Sequence, residues 1–184
     1  MRVIAGTARS LPLKTVKTDD VRPTTDRIKE TLFNILMPEI PGSRFLDLFA
    51  GAGAIGIEAL SRGAKEAVLV DKSKEACEVI EANLKFTHLD EHGTVLRRDV
   101  GDAIFELSGK GAFDVIFMDP PYGRGYVPDV LKAIGRAGLA GKDTLVVAEE
   151  DLSDELKEGD IILGFELVRI KKYRSNRHLF FRLN

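Results

Sequence analysis

The 184-residue sequence has very few of the residues that build disulfides or metal sites. Its one cysteine, Cys77, cannot form an internal disulfide, so a buried, inert thiol is expected. The three histidines, His88, His92 and His178, lack the spacing of metal ligands, so we expect no metal. The chain has no apolar run of about 18 residues, and its first residues lack the apolar core of a signal peptide. These absences predict a cytoplasmic protein with no membrane span.

Positive charge is concentrated at the two ends of the chain, although the net charge is −2. Residues 1–29 contain seven Lys or Arg and three Asp or Glu, and residues 167–184 contain six Lys or Arg and no acid. The intervening residues 30–166 have 14 basic and 26 acidic side chains. Phosphate binding needs local positive charge, so two basic ends favour an RNA surface over two solvated faces. The candidate phosphate contacts are Arg2, Arg9, Lys14, Lys17 and Arg22 in the first segment, and Arg169, Lys171, Lys172, Arg174 and Arg177 in the last.

Strands and helices are predicted to alternate through most of the chain. Apolar runs predict strands at 44–49, 67–71, 94–99, 113–118 and 144–149, and helices at 55–62, 74–86, 101–107 and 127–137. Such alternation is typical of an α/β protein whose parallel sheet has helices on both faces. Two last strands, about 161–171 and 177–184, flank a turn at Arg174–Asn176 and predict a hairpin.

The first 37 residues are predicted to form an extension of this core. Residues 1–6 and 11–16 predict a small β-hairpin, and Thr24 or Thr25 can cap a helix that runs to about Leu36. We therefore expect one domain, 1–184, with an N-terminal extension at 1–37 and a core at 42–184.

A glycine loop follows the first core strand. Gly51, Gly53 and Gly56 match the spacing G-x-G-x-x-G, and Asp71 ends the next apolar run 20 residues after Gly51. An acid there can accept hydrogen bonds from ribose hydroxyls, so this segment is typical of a nucleoside-binding unit. Asp47, four residues before the first glycine, would repel pyrophosphate and attract a cationic ligand such as S-adenosylmethionine. Alternatively, Asp47 is a structural acid bonded to the amides of the loop.

Two more acids are predicted to follow strands. Asp99 could, with Val100, hold the edge of an adenine, and it could equally cap the next helix. Asp119 begins the sequence Asp-Pro-Pro-Tyr, residues 119–122, in which Pro120 and Pro121 have no N–H and leave carbonyl acceptors free. With Asp119 they could hold an exocyclic amine while Tyr122 stacks on its base. The alternative is a Pro-Pro turn with Tyr122 as ordinary packing.

These motifs together resemble class I S-adenosylmethionine-dependent methyltransferases that act on exocyclic or amide nitrogens. The segments Arg2–Gly6, Arg22–Asn34 and Phe49–Arg62 are similar to those of RsmD-type enzymes, which methylate guanine N2 in bacterial 16S ribosomal RNA. Tyr122 is a departure, since some members have Phe there. The resemblance implies a Rossmann-like, doubly wound, mostly parallel seven-stranded sheet with a C-terminal antiparallel hairpin.

The same resemblance implies the ligands and the roles of the site residues. The cofactor would be S-adenosylmethionine, released as S-adenosylhomocysteine, and the partner 16S ribosomal RNA or the small ribosomal subunit. Asp47, Gly51, Gly53, Asp71, Asp99 and Val100 would bind the cofactor, and Asp119, Pro120, Pro121 and Tyr122 would hold the target amine. A monomer is expected. Other open interpretations are adenine N6 or protein glutamine methylation, a nicotinamide-dependent oxidoreductase, and a non-catalytic RNA-binding module.

Overall fold

The computed structural model describes residues 1–16, 25–121, 126–152 and 156–184. The helices are α1 (Asp26–Leu36), α2 (Ala54–Ser61), α3 (Lys74–Phe86), α4 (Val100–Leu107) and α5 (Tyr126–Arg136), with a short 3-10 turn at Met37–Glu39. The strands are β1 (Arg44–Asp47), β2 (Glu66–Asp71), β3 (Gly93–Arg97), β4 (Phe113–Met118), β5 (Ala140–Glu150), β6 (Ile161–Ile162), β7 (Phe165–Lys172) and β8 (Arg177–Leu183).

All the strands that the structure describes form one sheet in the order β3-β2-β1-β4-β5-β8-β7-β6. Strands β1 to β5 are parallel, and β8 and β7 continue the sheet antiparallel to β5. The order reverses between β1 and β4, so a crevice is expected beyond the carboxyl ends of these two strands. This arrangement confirms the predicted Rossmann-like α/β fold with a C-terminal antiparallel hairpin.

The C-terminal hairpin differs in one detail from the prediction. The predicted strand at about 161–171 is interrupted by Leu163 and Gly164, whose φ angles of 53° and 88° are left-handed and cannot continue a strand. The two residues turn β6 back onto β7, where Ile162 pairs with Phe165. The sheet of the described residues therefore has eight strands rather than seven.

The N-terminal segment is less regular than the predicted hairpin. A single antiparallel bridge joins Arg2 to Pro12, and the Val3 amide donates to the Leu11 carbonyl at 3.0 Å. Because Pro12 has no N–H, it cannot contribute a donor to a longer ladder. Side chains of the core hold the segment instead. A Cβ on Gly6 would lie 1.7 Å from the Ser61 carbonyl oxygen, so the backbone of the segment approaches α2 very closely.

A buried ion triad joins the extension to the core. The Glu58 carboxylate on α2 lies 3.3 Å from Lys29 Nζ and 2.7 Å from Arg62 Nε, and it also accepts hydrogen bonds from the amides of Ile4 and Ala5. Lys29 and Glu58 are both fully buried. Burial lowers the pKa of Lys29, while the charge of Glu58 opposes that shift. One carboxylate thus contacts both parts of the extension, the first segment and α1, and Ser61 and Asn83 add further hydrogen bonds to the first segment.

The core has one layer on each face of the sheet. Helices α1, α2 and α3 pack on the face that carries Phe117 and Val147, which we call the α1 face. Helices α4 and α5 pack on the opposite face against Ile116 and Val146. Neighbouring strand residues alternate between these layers, as the two-residue period of a strand requires. None of the described helices is long and apolar enough to cross a membrane.

Candidate functional site

Four acids lie at the carboxyl edge of the parallel sheet. Asp47 and Asp71 are the last residues of β1 and β2, and Asp99 and Asp119 follow β3 and β4. The register pairs Asp47 with Leu69 of β2 and with Phe117 of β4, so these strands end side by side. Ligands of open α/β sheets bind at this edge, next to the reversal in strand order. The sequence motifs therefore converge where such a ligand is expected.

Asp47 is almost fully buried beneath the glycine loop. Its Oδ2 accepts a hydrogen bond from the Gly56 amide at 3.1 Å, whereas its Oδ1 has no hydrogen-bond partner among the described residues. Burial raises the pKa of Asp47 to about 7; the nearby amides of Gly56 and Phe49 oppose this increase, and the charge of Asp71 adds a smaller one. Asp47 is thus a structural acid that retains one acceptor oxygen.

The three loop glycines are required for three different reasons. Gly51 has a left-handed φ of 54°, and a Cβ there would meet no atom within 4 Å, so open space adjoins its backbone. Gly53, with a φ of 79°, precedes the first residue of α2. Gly56 packs α2 against the sheet, since a Cβ there would lie 2.6 Å from Leu69 Cδ2. The open space at Gly51 can admit a ligand close to the main chain.

Asp71 and Asp99 both organise the backbone at the rim. Asp71 Oδ2 accepts from the Gly51 amide at 3.0 Å and its Oδ1 accepts from the Ser73 amide at 2.8 Å. This loop-closing role of Asp71 was not predicted, and each carboxylate oxygen still has a second lone pair for a hydroxyl group. Asp99 Oδ1 accepts from the Gly101 amide at 3.1 Å, which confirms the capping alternative for α4.

Asp119 is half-buried at the end of β4, with Pro120 buried and Pro121 exposed next to it. Burial raises the pKa of Asp119 to about 8, and the negative charges of Glu149 and Asp47 add to the increase. The carboxyl group can therefore exchange a proton near neutral pH. Tyr122, the last residue of the predicted motif, lies outside the described residues.

A buried polar network at the end of β5 was missed by the sequence prediction. Glu149 accepts a hydrogen bond from Asn176 Nδ2, and its Oε2 lies 3.2 Å from His178 Nε2. The other ring nitrogen of His178 lies 3.0 Å from the Tyr173 hydroxyl. Glu149 was predicted to end its strand, so the rule that selected four acids at strand ends would also have selected this one.

A family comparison covers almost the whole chain. Residues 1–182 match the protein family described as conserved hypothetical protein 95. The chain belongs to this family. YlbH of Bacillus subtilis, which has a provisional rRNA methyltransferase name, is 40% identical over 89% of this chain and 90% of its own length. Ribosomal RNA small subunit methyltransferase D of Escherichia coli K12 is 33% identical over 85% of this chain and 77% of its own.

Solved structures share the same fold. The provisionally named methyltransferase yhhF of Escherichia coli has a TM-score of 0.86 at 30% identity. The match covers 100% of this chain and 98% of yhhF. SMU.776, a provisionally named methyltransferase complexed with SAH, has a TM-score of 0.68 at 16% identity and matches 90% of this chain and 52% of its own. At that identity SMU.776 shows the fold alone. These matches confirm the resemblance to RsmD-type methyltransferases.

The basic residues predicted to contact phosphates do not all lie on one face of the sheet. Lys171 pairs with His178, whose ring packs on Phe117, so Lys171 lies on the α1 face. Lys172 pairs with Arg177 and projects to the opposite face. Arg2 lies beside the first turn of α1, where its Nε is 2.9 Å from Asp26. Arg9 and Arg174 are exposed, whereas Arg177 is buried against Glu150 at 2.6 Å, so its prediction as a phosphate contact was wrong. Arg22 and Lys17 lie outside the described residues.

The residues at the rim fit a cationic nucleoside. Asp47 Oδ1 is a buried acceptor without a partner in the described part of the chain, which suits an ammonium group better than a phosphate. Gly51 leaves open space beside its main chain. Within the described ranges, no group of three or more His, Cys, Asp or Glu is placed to hold a metal ion.

Proposed function

We propose that this protein transfers a methyl group from S-adenosylmethionine to the exocyclic N2 of a guanine in 16S ribosomal RNA. The relatives named as rRNA methyltransferases support the substrate class. The observation that carries the reaction is a half-buried Asp119, followed by two prolines, at the switch point of the sheet. We further propose that the chain acts on the small ribosomal subunit as a single-domain, cytoplasmic monomer.

In this proposal, different rim residues bind different parts of the cofactor. Asp47 accepts from the amino group, and Gly51, with Gly53 behind it, lets the cofactor approach the loop. Asp71 accepts from the ribose hydroxyls, and Asp99 with Val100 borders the adenine. When bound, the cofactor supplies an electrophilic methyl group on a positively charged sulfur. The shared fold of SMU.776, which was solved with SAH, supports this choice of cofactor.

The target amine is oriented by Asp119 and by a carbonyl of the Pro120–Pro121 segment. These acceptors bind the two N–H groups and direct the nitrogen lone pair out of the base plane. The lone pair forms the N–C bond as the C–S bond breaks, and the nitrogen then loses a proton. Tyr122 stacks on the base, which has been turned out of its helix. Positioning and electrostatics supply most of the rate enhancement, because the neutral amine needs no prior deprotonation.

Basic side chains near the α1 face bind the phosphates of the RNA. Lys171 lies on this face, Arg2 contacts the first turn of α1, and Arg174 is exposed in the turn that follows β7. Arg9 and Arg22 of the N-terminal segment are further phosphate contacts, and Lys172 would contribute least because it faces the other way. Such contacts make RNA affinity fall as salt concentration rises.

The decisive experiment uses labelled S-adenosylmethionine and small ribosomal subunits that lack the modification. Mass spectrometry of the digested RNA locates the label. Label on N2 of one guanine is the expected result. Label on adenine N6 would overturn the guanine assignment, and label on a protein glutamine would overturn the RNA substrate. An Asp119→Asn variant, which keeps the size of the side chain, is the matched control and should leave the RNA unlabelled.

A further inference from the structure

The ends of β4 and β5 bring two carboxyl groups together. Met118 and Ala148 form the last pair of the parallel ladder, and Asp119 and Glu149 are the residues that follow them in the two segments. Neighbouring strands lie about 4.8 Å apart, and paired residues project to the same face. After burial, the charge of Glu149 contributes most to the raised pKa of Asp119. Two such close carboxyl groups resist ionising together.

Glu149 is held in this position by strand β8 and by the turn before it. Asn176 donates to one carboxylate oxygen, and the His178 ring contacts the other at 3.2 Å. Asn176, His178 and Glu149 are all buried. These two contacts hold both oxygens of the buried carboxylate.

Charged groups of both signs surround the pair. The charge of Asp47 on β1 acts on Asp119, and the charge of Asp71 on β2 acts in turn on Asp47. The charge of Glu149 also contributes, after burial, to a pKa of about 12 at Tyr173, while Arg169 opposes that increase. The neighbouring pair of Glu150 and Arg177, at 2.6 Å, is on the other face. The titratable and charged groups near the pair on this face of the described elements include Asp47 (β1), Arg169 and Lys171 (β7), Tyr173 (β7–β8 turn) and His178 (β8).

We propose that Glu149 is a positioning residue of this site, and that Glu149 and Asp119 share one proton in the free protein and release it when the cationic cofactor binds. The inference rests on the proposed function. In the bound state both carboxylates are ionised, and Asp119 is a full acceptor for the target amine. After the transfer, the methylated nitrogen gives its extra proton to this pair. The proton that the reaction produces therefore leaves the protein when the next cofactor molecule binds.

Proton release can be counted by calorimetry without any RNA. S-adenosylmethionine and S-adenosylhomocysteine are titrated into the protein at about pH 7.5 in buffers of low and high ionisation enthalpy. The dependence of the binding enthalpy on the buffer gives the number of protons released. The two ligands differ by the methyl group and the sulfonium charge. We expect S-adenosylmethionine to release more protons than S-adenosylhomocysteine, by about one.

Two substitutions test the assignment to this pair. In Glu149→Gln the neutral amide no longer opposes ionisation of Asp119, although burial and Asp47 still do, so the difference between the two ligands should become smaller. Asp119→Asn, which removes the other carboxyl group, should abolish it. The matched control is Glu66→Gln at the opposite edge of the sheet, where the carboxylate pairs with Arg44 at 2.6 Å. This control should release protons as the wild type does.

The outcomes separate this inference from the function on which it rests. Equal proton release by both ligands in the wild type would overturn the inference. A difference as large in Glu149→Gln as in the wild type would overturn it as well. In either case the ligands still bind, and the proposed function stands. If neither ligand bound to the wild type, the proposed function and this inference would both be refuted.

Discussion

Replacing Asp47 with Asn should stabilise the free protein while removing cofactor binding. The carboxyl group is almost fully buried, and its pKa is raised to about 7. An unfolded aspartate titrates near about 3.9, so between the two values the folded protein holds a proton that the unfolded chain has lost. The free energy of unfolding must then fall as pH rises from about 4 to about 7, and it stays lower above that range.

The size of the effect follows from that difference in pKa. A shift of about 3 units corresponds to about 4 kcal/mol at pH values above 7. The Asn side chain can still accept from the Gly56 amide, but its NH2 group takes the place of the unpaired Oδ1. An unsatisfied buried donor costs about 1–3 kcal/mol. The net gain at about pH 8.5 should therefore be about 1–3 kcal/mol, and it should vanish at about pH 5, where the wild type is protonated.

Urea unfolding at several pH values between about 5 and 8.5 measures this gain directly. The exposed Asp90 supplies the matched control, because Asp90→Asn should follow the wild type at every pH. Binding of S-adenosylmethionine to Asp47→Asn should be lost in the same preparation. If the stability of Asp47→Asn and of the wild type changed in parallel with pH, the buried carboxyl group would not have the raised pKa on which the reasoning depends.

Three further predictions concern the core, the amine site and the RNA surface. Glu58→Gln leaves two buried cations uncompensated and should lower the free energy of unfolding by about 3–5 kcal/mol; a urea curve equal to that of the wild type would contradict the triad. Asp119→Ala should reduce turnover by about 100-fold or more with little change in cofactor affinity, and a loss confined to affinity, measured by calorimetry, would show that Asp119 has another role. Lys171→Ala should weaken RNA binding and reduce its salt dependence by about one phosphate contact, whereas Lys172→Ala on the opposite face should not; equal effects in filter binding would show that the α1 face is not the RNA surface.

Local sequence patterns were sufficient for most of the elements. Helix α3 and strand β4 have the predicted bounds, Lys74–Phe86 and Phe113–Met118. Ser73 caps α3 through its own side chain, and an unbroken apolar run forms β4, so neither element needs a distant contact to be recognised. The interruption at Leu163 was missed because a left-handed residue other than glycine leaves no clear mark in the sequence.

The candidate site, too, was predicted in part from the sequence and in part only revealed by the structure. Asp47, Asp71, Asp99 and Asp119 were found because each follows an apolar run, and the carboxyl ends of parallel strands meet at one edge. Which oxygen of Asp47 stays unpaired was beyond the sequence, because it depends on where the Gly56 amide lies.

By itself the sequence determined the order of strands and helices, the glycine loop and the acids at the strand ends, since these depend on residues close together in the chain. Tertiary structure decided the partners of Glu149, because Asn176 and His178 reach it only through the antiparallel pairing of β5 and β8. It also decided that Lys171, rather than Lys172, lies on the α1 face, because that depends on the pairing of Lys171 with His178 of β8. Contacts between distant segments depend on the packed sheet, so they exist only once the chain has folded.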